Sequence, residues 1–244
     1  MKNFKTMALC LLAVLGLYSC GSDKNDDTKE DANKVYLVKS LTITEDGDYE
    51  KYTLTYDNNK ITKITIVDSD GETYGETYSY PSETSINCKS VDGEGVITMD
   101  ASENVISKQE GVFEGEQYKY TYSFIDGYFS KENSRENYYF TYTWLNGNLT
   151  SKKEVFGGGQ YENTTTIAYS DIENNTNIDF YLWLGCGADP TYTIQFMKNV
   201  SKNIPSSVKT DGGDIKTITT TLDEKGRPSK MVFWDTTYTF EYYD

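Results

Sequence analysis

Acidic side chains dominate the groups in this sequence that could do chemistry. The chain has 244 residues, with 38 Asp and Glu against 23 Lys and Arg, no histidine and a formal net charge of −15. Without histidine there is no Ser-His-Asp triad, no His-based zinc site and no imidazole pH switch. The acidic balance, with no visible basic patch, also argues against nucleic-acid binding.

Two carboxylate clusters are candidate cation sites. Residues 46–48 and 68–72 could offer oxygen ligands to Ca²⁺, but they lack the ligand spacing and the distant bidentate Glu of an EF-hand loop. We interpret them as turn residues and expect no metal. Dinucleotide, phosphate-loop and nucleophile-elbow motifs are absent, so no cofactor is expected. Close carboxylate pairs are inevitable among 38 acids, and therefore no pair identifies a glycosidase.

An aromatic segment is the best candidate for recognition. Residues 178–184 are the most apolar stretch after residue 34, and residues 185–190 break it with Gly and Pro. Periodicity fits a short helix or a buried strand, and we favour a helical turn or plug packed against a sheet. Tyr181 and Trp183 could form a ligand-binding platform, which requires partly exposed rings. Alternatively, the segment caps the core, and a fully buried Trp183 would refute the platform.

The first twenty residues carry an export signal. Lys2 and Lys5 precede an apolar run over residues 7–18, which is too short to span a bilayer as a stable helix. Leu17-Tyr18-Ser19-Cys20-Gly21 resembles a bacterial lipobox. The resemblance implies that residues 1–19 are a signal peptide and that Cys20 is lipidated and becomes the first mature residue. The alternative is a plain secretory signal with an incidental Cys20.

Residues 20–34 are predicted to be a flexible acidic tether. They hold almost no apolar side chains, so they cannot bury enough surface to offset the entropy of ordering. The acidic run at 23–27 resembles the export signal of Bacteroidetes-type lipoproteins displayed on the outer leaflet, and a mere spacer is the alternative. The implied location is the outer membrane, facing the cell exterior. Two acyl chains anchor a protein stably, so the membrane is an expected partner through the lipid.

Two other cysteines remain after Cys10 leaves with the signal peptide. Cys88 and Cys186 could form a disulfide, because an exported protein resides in an oxidising compartment. Two unpaired thiols are equally compatible with the sequence, since spacing along the chain does not give the distance between them.

Period-two alternation organises the rest of the chain. Tyr52, Leu54 and Tyr56 alternate with Thr and Lys, and the same pattern recurs over residues 118–124 and 238–242. Such alternation is typical of half-buried antiparallel strands. Between the strands lie dipeptides that accept the positive φ of tight turns, namely Asp46-Gly47, Asp70-Gly71, Asp92-Gly93, Asp126-Gly127, Asn146-Gly147 and Asp211-Gly212. The spacing indicates an internal repeat of hairpins, interrupted at residues 171–213.

A family resemblance rests on two of these turns. Residues 56–61 and, more sharply, Leu222-Asp223-Glu224-Lys225-Gly226-Arg227 resemble the YD repeat, in which an aromatic strand runs into an Asp-x-x-Gly-Arg turn. With the lipobox and residues 200–206, the chain is similar to a Bacteroides-type lipoprotein family of unknown function that has a porin-like β-barrel fold. The resemblance covers residues 35 to 244 and implies the fold, with no activity to transfer.

The expected architecture is all-β. We predict one domain over residues 35–244, an antiparallel meander of roughly 12 to 14 strands with a short irregular or helical insertion. It should close into a barrel or curl strongly, because an open meander would expose two edges. The strand faces carry Tyr, Lys and Thr instead of a continuous apolar wall, so the porin likeness is expected to be one of shape.

Two function classes follow from these observations. The first is a surface-anchored binding or scaffold lipoprotein, without enzymatic activity, for a glycan, a peptide or a partner protein, and aromatic abundance favours it. The alternative is an exported carboxylate-dependent hydrolase such as a glycosidase, which the missing nucleophile motifs disfavour.

Overall fold

The computed structural model describes residues 34–90, 93–99, 105–113, 116–135, 137–184 and 199–244. Twelve strands precede a single helix in these ranges. They are β1 (Val38–Glu45), β2 (Asp48–Asp57), β3 (Lys60–Asp68), β4 (Thr73–Ser82), β5 (Ser85–Ser90), β6 (Gly93–Met99), β7 (Val105–Phe113), β8 (Glu116–Ile125), β9 (Tyr128–Arg135), β10 (Tyr138–Leu145), β11 (Asn148–Phe156) and β12 (Tyr161–Glu173).

The helix and four further strands complete the fold. They are α1 (Phe180–Trp183), β13 (Asn203–Thr210), β14 (Lys216–Leu222), β15 (Pro228–Phe233) and β16 (Thr236–Tyr242). Every strand pairs antiparallel with its sequence neighbours, and β1 closes the ring by pairing with β16 over six residue pairs. The predicted all-β antiparallel meander with a short helical insertion is confirmed, and of the two predicted arrangements, a closed barrel or a strongly curled sheet, the structure has the closed barrel.

The strand number exceeds the prediction of 12 to 14. The described residues form sixteen strands, and one of them, β13, lies inside residues 171–213, which the sequence pattern marks as an interruption. The Pro and Ser residues of β13 obscure its alternation, although Ile204 and Val208 are buried.

Turn chemistry explains the regular hairpins. At the β1–β2 turn, Asp46 and Gly47 have φ of +50° and +99°, and Asn146 and Gly147 have +53° and +81° at the β10–β11 turn. Two successive positive φ values match the twist of the flanking strands, and Asp-Gly and Asn-Gly reach them at low cost. The predicted hairpins at these positions are therefore confirmed.

The apolar face of the barrel points inward. Across β15 and β16, Met231 pairs with Tyr238 and both side chains are buried, whereas Lys230 pairs with Thr239 and both are exposed. One cluster of buried side chains joins strands from around the ring, including Leu41, Ile64 and Leu149. The alternation noted in the sequence thus separates a filled interior from a polar outer face.

The helix α1 lies inside this interior. All four of its residues are buried, and the Phe180 ring meets the ring of Phe240 edge-on at 5.1 Å. Asp179 caps its N-terminus by accepting a hydrogen bond from the Leu182 amide at 3.2 Å, and it also accepts one from the Ser201 amide at 2.8 Å. Burial raises the pKa of the Asp179 carboxyl, against the opposing effect of these hydrogen bonds. Among the described residues, no helix is long and apolar enough to cross a membrane.

One end of the barrel is closed by the chain itself. Residues 174–179, here called the closing segment, run beside the residues that precede β1. The Tyr36 amide donates to the Asn175 carbonyl at 2.8 Å, and the Val38 amide donates to the Asn177 side chain at 3.0 Å. Asn177 donates in turn to the Tyr56 hydroxyl at 3.2 Å. We call this the closed end.

Arg227 reinforces the closed end from the β14–β15 turn. Its guanidinium lies between the rings of Tyr36 and Tyr242, at 4.6 and 4.5 Å from their centroids, and its Nη2 is 2.8 Å from Asp223 Oδ2. Partial burial opposes ionisation of Asp223, but hydrogen bonds from the Arg227 backbone and side chain lower the pKa of its carboxyl. The Asp-x-x-Gly-Arg sequence therefore closes on itself and clamps the chain before β1 to the end of β16.

Candidate functional site

The opposite end of the barrel, here called the open end, holds a cavity of about 680 Å³. The turns β1–β2, β13–β14 and β15–β16 lie at this end, because β1 leaves the closed end and each hairpin reverses direction. Side chains from β1, from β11 to β16 and from α1 line the cavity, together with residues of the β13–β14 and β15–β16 turns. Its size falls within the range of about 300–1,000 Å³ that small-molecule sites occupy.

The helix α1 and the residue that follows it form the floor of the cavity. Tyr181 and Leu184 face it, flanked by Tyr238 of β16 and Val208 of β13, and all four residues are buried. The Tyr238 hydroxyl donates a hydrogen bond to the Leu184 carbonyl at 3.1 Å, which fixes the end of α1 to the barrel wall. The floor is therefore apolar and held in place by packed elements.

Trp234 stands at the mouth of the cavity. It occupies the two-residue turn between β15 and β16, its side chain is exposed at 66 %, and its φ is +55°. Its ring lies 5.5 Å from the Phe233 ring and 5.9 Å from Lys216 Nζ, and both of those residues also line the cavity. A bulky residue in the left-handed region is rare and costs about 1–2 kcal/mol, so the turn holds this ring at the mouth against a backbone penalty.

The cavity wall mixes carboxylates with ammonium groups. Glu45, Glu154 and Asp214 line it together with Lys152 and Lys216. The Tyr138 hydroxyl donates to Glu154 Oε1 at 2.9 Å, which orients that carboxylate.

Lys152 is the better anchored of the two lysines. Its Nζ lies 4.4 Å from the centroid of the Phe140 ring. Burial raises the pKa of Glu132 on β9, two strands from Lys152, against the opposing effects of the Lys152 charge and the Tyr142 hydroxyl. The wall thus presents hydrogen-bond donors and acceptors beside aromatic faces.

Acidic turns surround half of the mouth. Four hairpin turns of consecutive strands in the ring, β13–β14, β15–β16, β1–β2 and β3–β4, bring their charges together here. Three carboxylates lie in residues 45–48, three in 68–73, two in 210–216 and one in 234–235, against the single Lys216.

One of these carboxylates shows a turn role directly. Asp68 Oδ1 accepts hydrogen bonds from the Asp70 and Glu72 amides at 3.1 and 2.8 Å. The carboxylate therefore closes its own loop, as an Asx-type turn does.

The structure places the two predicted platform residues inside the barrel. Tyr181 is 1 % exposed and Trp183 is 2 % exposed, so the platform hypothesis is wrong for both, and their burial agrees with the alternative of a segment that caps the core. The physical reason is that α1 inserts into the barrel, where a helix that is apolar on all sides buries every face. Tyr181 still borders the cavity as part of its floor, whereas Trp183 does not line it.

Sequence reasoning missed Trp234. A signal was present, since other tight turns here carry Asp or Asn at positive φ, such as Asp126 and Asn146, whereas this turn carries Trp. A bulky aromatic residue in a hairpin turn breaks the local rule, and such breaks concentrate at functional sites.

The lipidation and disulfide predictions concern three cysteines. Cys88 is buried on β5, but Cys20 and Cys186 lie outside the described residues. Lipidation of Cys20 and pairing of Cys88 with Cys186 both stay predictions.

Comparison with known proteins defines the fold. No family model and no curated protein matches the sequence. The crystal structure of a porin-like protein from Bacteroides uniformis ATCC 8492 matches with a TM-score of 0.68 at 13 % identity, covering 84 % of this chain and 98 % of that chain. At such low identity the likeness shows the fold alone, and the porin-like β fold implied by the family resemblance is confirmed.

Proposed function

We propose that this protein is a lipid-anchored binding protein of the outer membrane surface, with its ligand site in the open end of the barrel. The observation that carries the proposal is the cavity of about 680 Å³, which combines a buried apolar floor with the exposed ring of Trp234 at its mouth. Concave sites with apolar walls and a few polar groups are where proteins bind small ligands.

The direction of the chain supports the anchored arrangement. Lys34 and Tyr36 lead into β1 at the closed end, where the Lys34 ammonium lies 4.8 Å from the Tyr36 ring. A tether between Cys20 and this point would reach about 20 Å as a flexible chain. The open end would then face away from the membrane, toward ligands in solution.

The polar outer face also supports an anchor in place of insertion. Lys230, Thr239 and Glu241 are exposed on neighbouring strands, and charges on a lipid-facing wall would be destabilising. A lipid on Cys20 therefore accounts best for attachment.

The binding function is tested with a cavity-filling variant. Thr236 lines the cavity, and Thr239 lies on the outer face of the same strand. The mature chain with Cys20→Ser should be screened on glycan, peptide and protein arrays, alone and with Thr236→Trp or Thr239→Trp added. We expect ligands to be lost with Thr236→Trp and retained with Thr239→Trp. Binding that survives Thr236→Trp unchanged would place the site elsewhere and overturn the proposal.

The anchor and its orientation need separate experiments. Cys20→Ser should abolish labelling by a radioactive fatty acid and release the protein from membranes, and a variant that stays acylated and membrane-bound would exclude this anchor. Ser69→Cys at the open end and Glu83→Cys at the closed end place exposed thiols in turns. On intact cells, a membrane-impermeant maleimide should label Ser69→Cys faster. Labelling of neither variant would mean that the barrel faces the periplasm.

A further inference from the structure

The ligand chemistry of the cavity can be taken further, on the premise that the open end is the binding site proposed above. We infer that the cavity binds a neutral sugar, such as one or two residues of an uncharged oligosaccharide. Four properties of the site carry this inference, namely its mixed polar lining, the placement of Trp234, the closure of the sheet and the acidity of the rim.

The polar lining suits hydroxyl groups. Three carboxylates, Glu45, Glu154 and Asp214, can only accept hydrogen bonds when ionised, whereas Lys152 and Lys216 can only donate them. The charges nearly cancel, so the wall does not match a strongly charged ligand. A hydroxyl both donates and accepts, and a ligand that carries several hydroxyls can therefore satisfy both kinds of group at once.

The aromatic residues supply the complementary apolar face. A sugar ring presents C–H groups on its faces and hydroxyls at its edge, so it needs an open aromatic surface beside polar partners. Trp234 offers such a surface at the mouth, next to Phe233. Its positive φ shows that the turn accommodates this ring where Asn or Gly would fit the backbone better.

Closure of the barrel argues against an extended peptide as the ligand. Peptides commonly bind sheet proteins by adding a strand to an exposed edge. At the open end every described strand pairs on both sides, and even β13 and β14, which share only two residue pairs, are joined there, so this end presents no unpaired strand edge. A peptide would have to leave its backbone amides to water or to the few polar side chains of the wall.

The acidic turns around the mouth favour an uncharged ligand over an anionic one. The four turns at the mouth hold nine carboxylates and one lysine, of which Glu45, Asp214 and Lys216 also belong to the cavity wall, and together these charges create a negative potential at the opening. Sugars that carry carboxylates or sulfates would be repelled on approach. Neutral sugars would not be, and the site should therefore discriminate against uronic acids.

The experiment compares neutral and anionic oligosaccharides. The mature chain with Cys20→Ser should be titrated calorimetrically with gluco-, manno-, galacto- and xylo-oligosaccharides, and with oligogalacturonate and oligomannuronate of matched length. At low salt we expect at least one neutral series to bind tenfold more tightly than either acid. In 0.5 M NaCl this ratio should shrink, because screening weakens the repulsion.

Two variants localise the interaction. Trp234→Ala should weaken sugar binding at least tenfold, and Trp234→Phe should retain part of the affinity because it keeps an aromatic face. Leu145→Ala is the matched control, since Leu145 is exposed at 61 % but lies at the closed end, and it should change affinity less than twofold. Thermal melts of all three variants would confirm that they fold.

The possible results separate the inference of a neutral sugar from the proposed binding function. Preferential binding of an acidic sugar would overturn the inference of a neutral ligand. Binding of array peptides alone, lost with Thr236→Trp, would overturn the sugar inference but leave the binding function intact. Failure of the whole sugar panel together with the absence of any ligand sensitive to Thr236→Trp would overturn both.

Discussion

Hairpin turns form both ends of the barrel, but one end is closed by the chain itself and the other holds a cavity. At the closed end, the closing segment and Arg227 tie the chain before β1 to the end of β16 through hydrogen bonds and stacked rings. At the open end, the turns leave a cavity empty of side chains and hold Trp234 in water at a positive φ. The contrast indicates that substitutions at the closed end should change stability, and those at the open end binding.

The largest expected effect separates two tryptophans. Trp183→Ala removes a ring that is 2 % exposed inside the barrel and should lower the free energy of unfolding by about 3–5 kcal/mol. Trp234→Ala removes an exposed ring and should change it by no more than about 0.5 kcal/mol. Denaturant melts measure both. Similar losses in the two variants would show that Trp234 packs as a core residue and would break the contrast between the ends.

Arg227→Ala tests the closed end itself. The substitution removes an ion pair with Asp223 and two ring contacts in a site that is 8 % exposed, so unfolding should become easier by about 2–3 kcal/mol. Arg227→Lys should recover only part of this, because an ammonium lacks the planar face that stacks on Tyr36 and Tyr242. Lys225→Ala, which removes the ion pair with the exposed Asp244 and a contact of 5.8 Å with the Tyr36 ring, should cost much less than Arg227→Ala. Sugar or array binding should be unaffected in all three, and lost binding would mean that the ends are coupled.

Local sequence rules account for the hairpins and fail where distant segments meet. The alternation around Tyr52 and the Asp-Gly and Asn-Gly turns predicted strands and reversals, because both depend on neighbouring residues only. Residues 178–184 were compatible with a helix or a strand, and their burial depends on a barrel that closes between β1 and β16. The cavity likewise joins residues from Ile43 to Tyr238, which no window of the sequence brings together.

Asp179→Asn probes the cap that holds α1 in the barrel. One carboxylate oxygen accepts from the Leu182 amide and the other from the Ser201 amide, whereas an Asn side chain has only one acceptor. The lost hydrogen bond should cost about 1–2 kcal/mol, and removal of a buried charge offsets part of this cost at neutral pH. Asp57→Asn, at the exposed end of β2, should change the free energy of unfolding by no more than about 0.5 kcal/mol and is the control.

The wild type and Asp179→Asn should also differ in how their free energies of unfolding depend on pH. Burial raises the pKa of Asp179 above its ordinary value of 3.8, so the folded chain holds this proton more tightly than the unfolded chain. The stability gained from the proton is fully present below 3.8 and is lost as the pH rises through the folded pKa. The advantage of the wild type over Asp179→Asn should therefore shrink from acidic to neutral pH. An advantage that grows with pH would mean that the carboxylate is stabilised as an ion.

The smallest expected effect is an increase in the free energy of unfolding, and it distinguishes the two ends most directly. Trp234→Asn replaces a bulky residue at φ +55° with one that tolerates the left-handed region, as Asn146 does at +53° in its own turn. Unfolding should become harder by about 0.5–1 kcal/mol, while ligand affinity falls. Asn146→Trp is the reciprocal control and should destabilise the barrel by a similar amount without affecting binding. A protein that loses ligand affinity as it gains stability would show that the open end maintains Trp234 for recognition. Loss of stability in Trp234→Asn would instead mean that the ring contributes more to the fold through Phe233 than its backbone strain takes away.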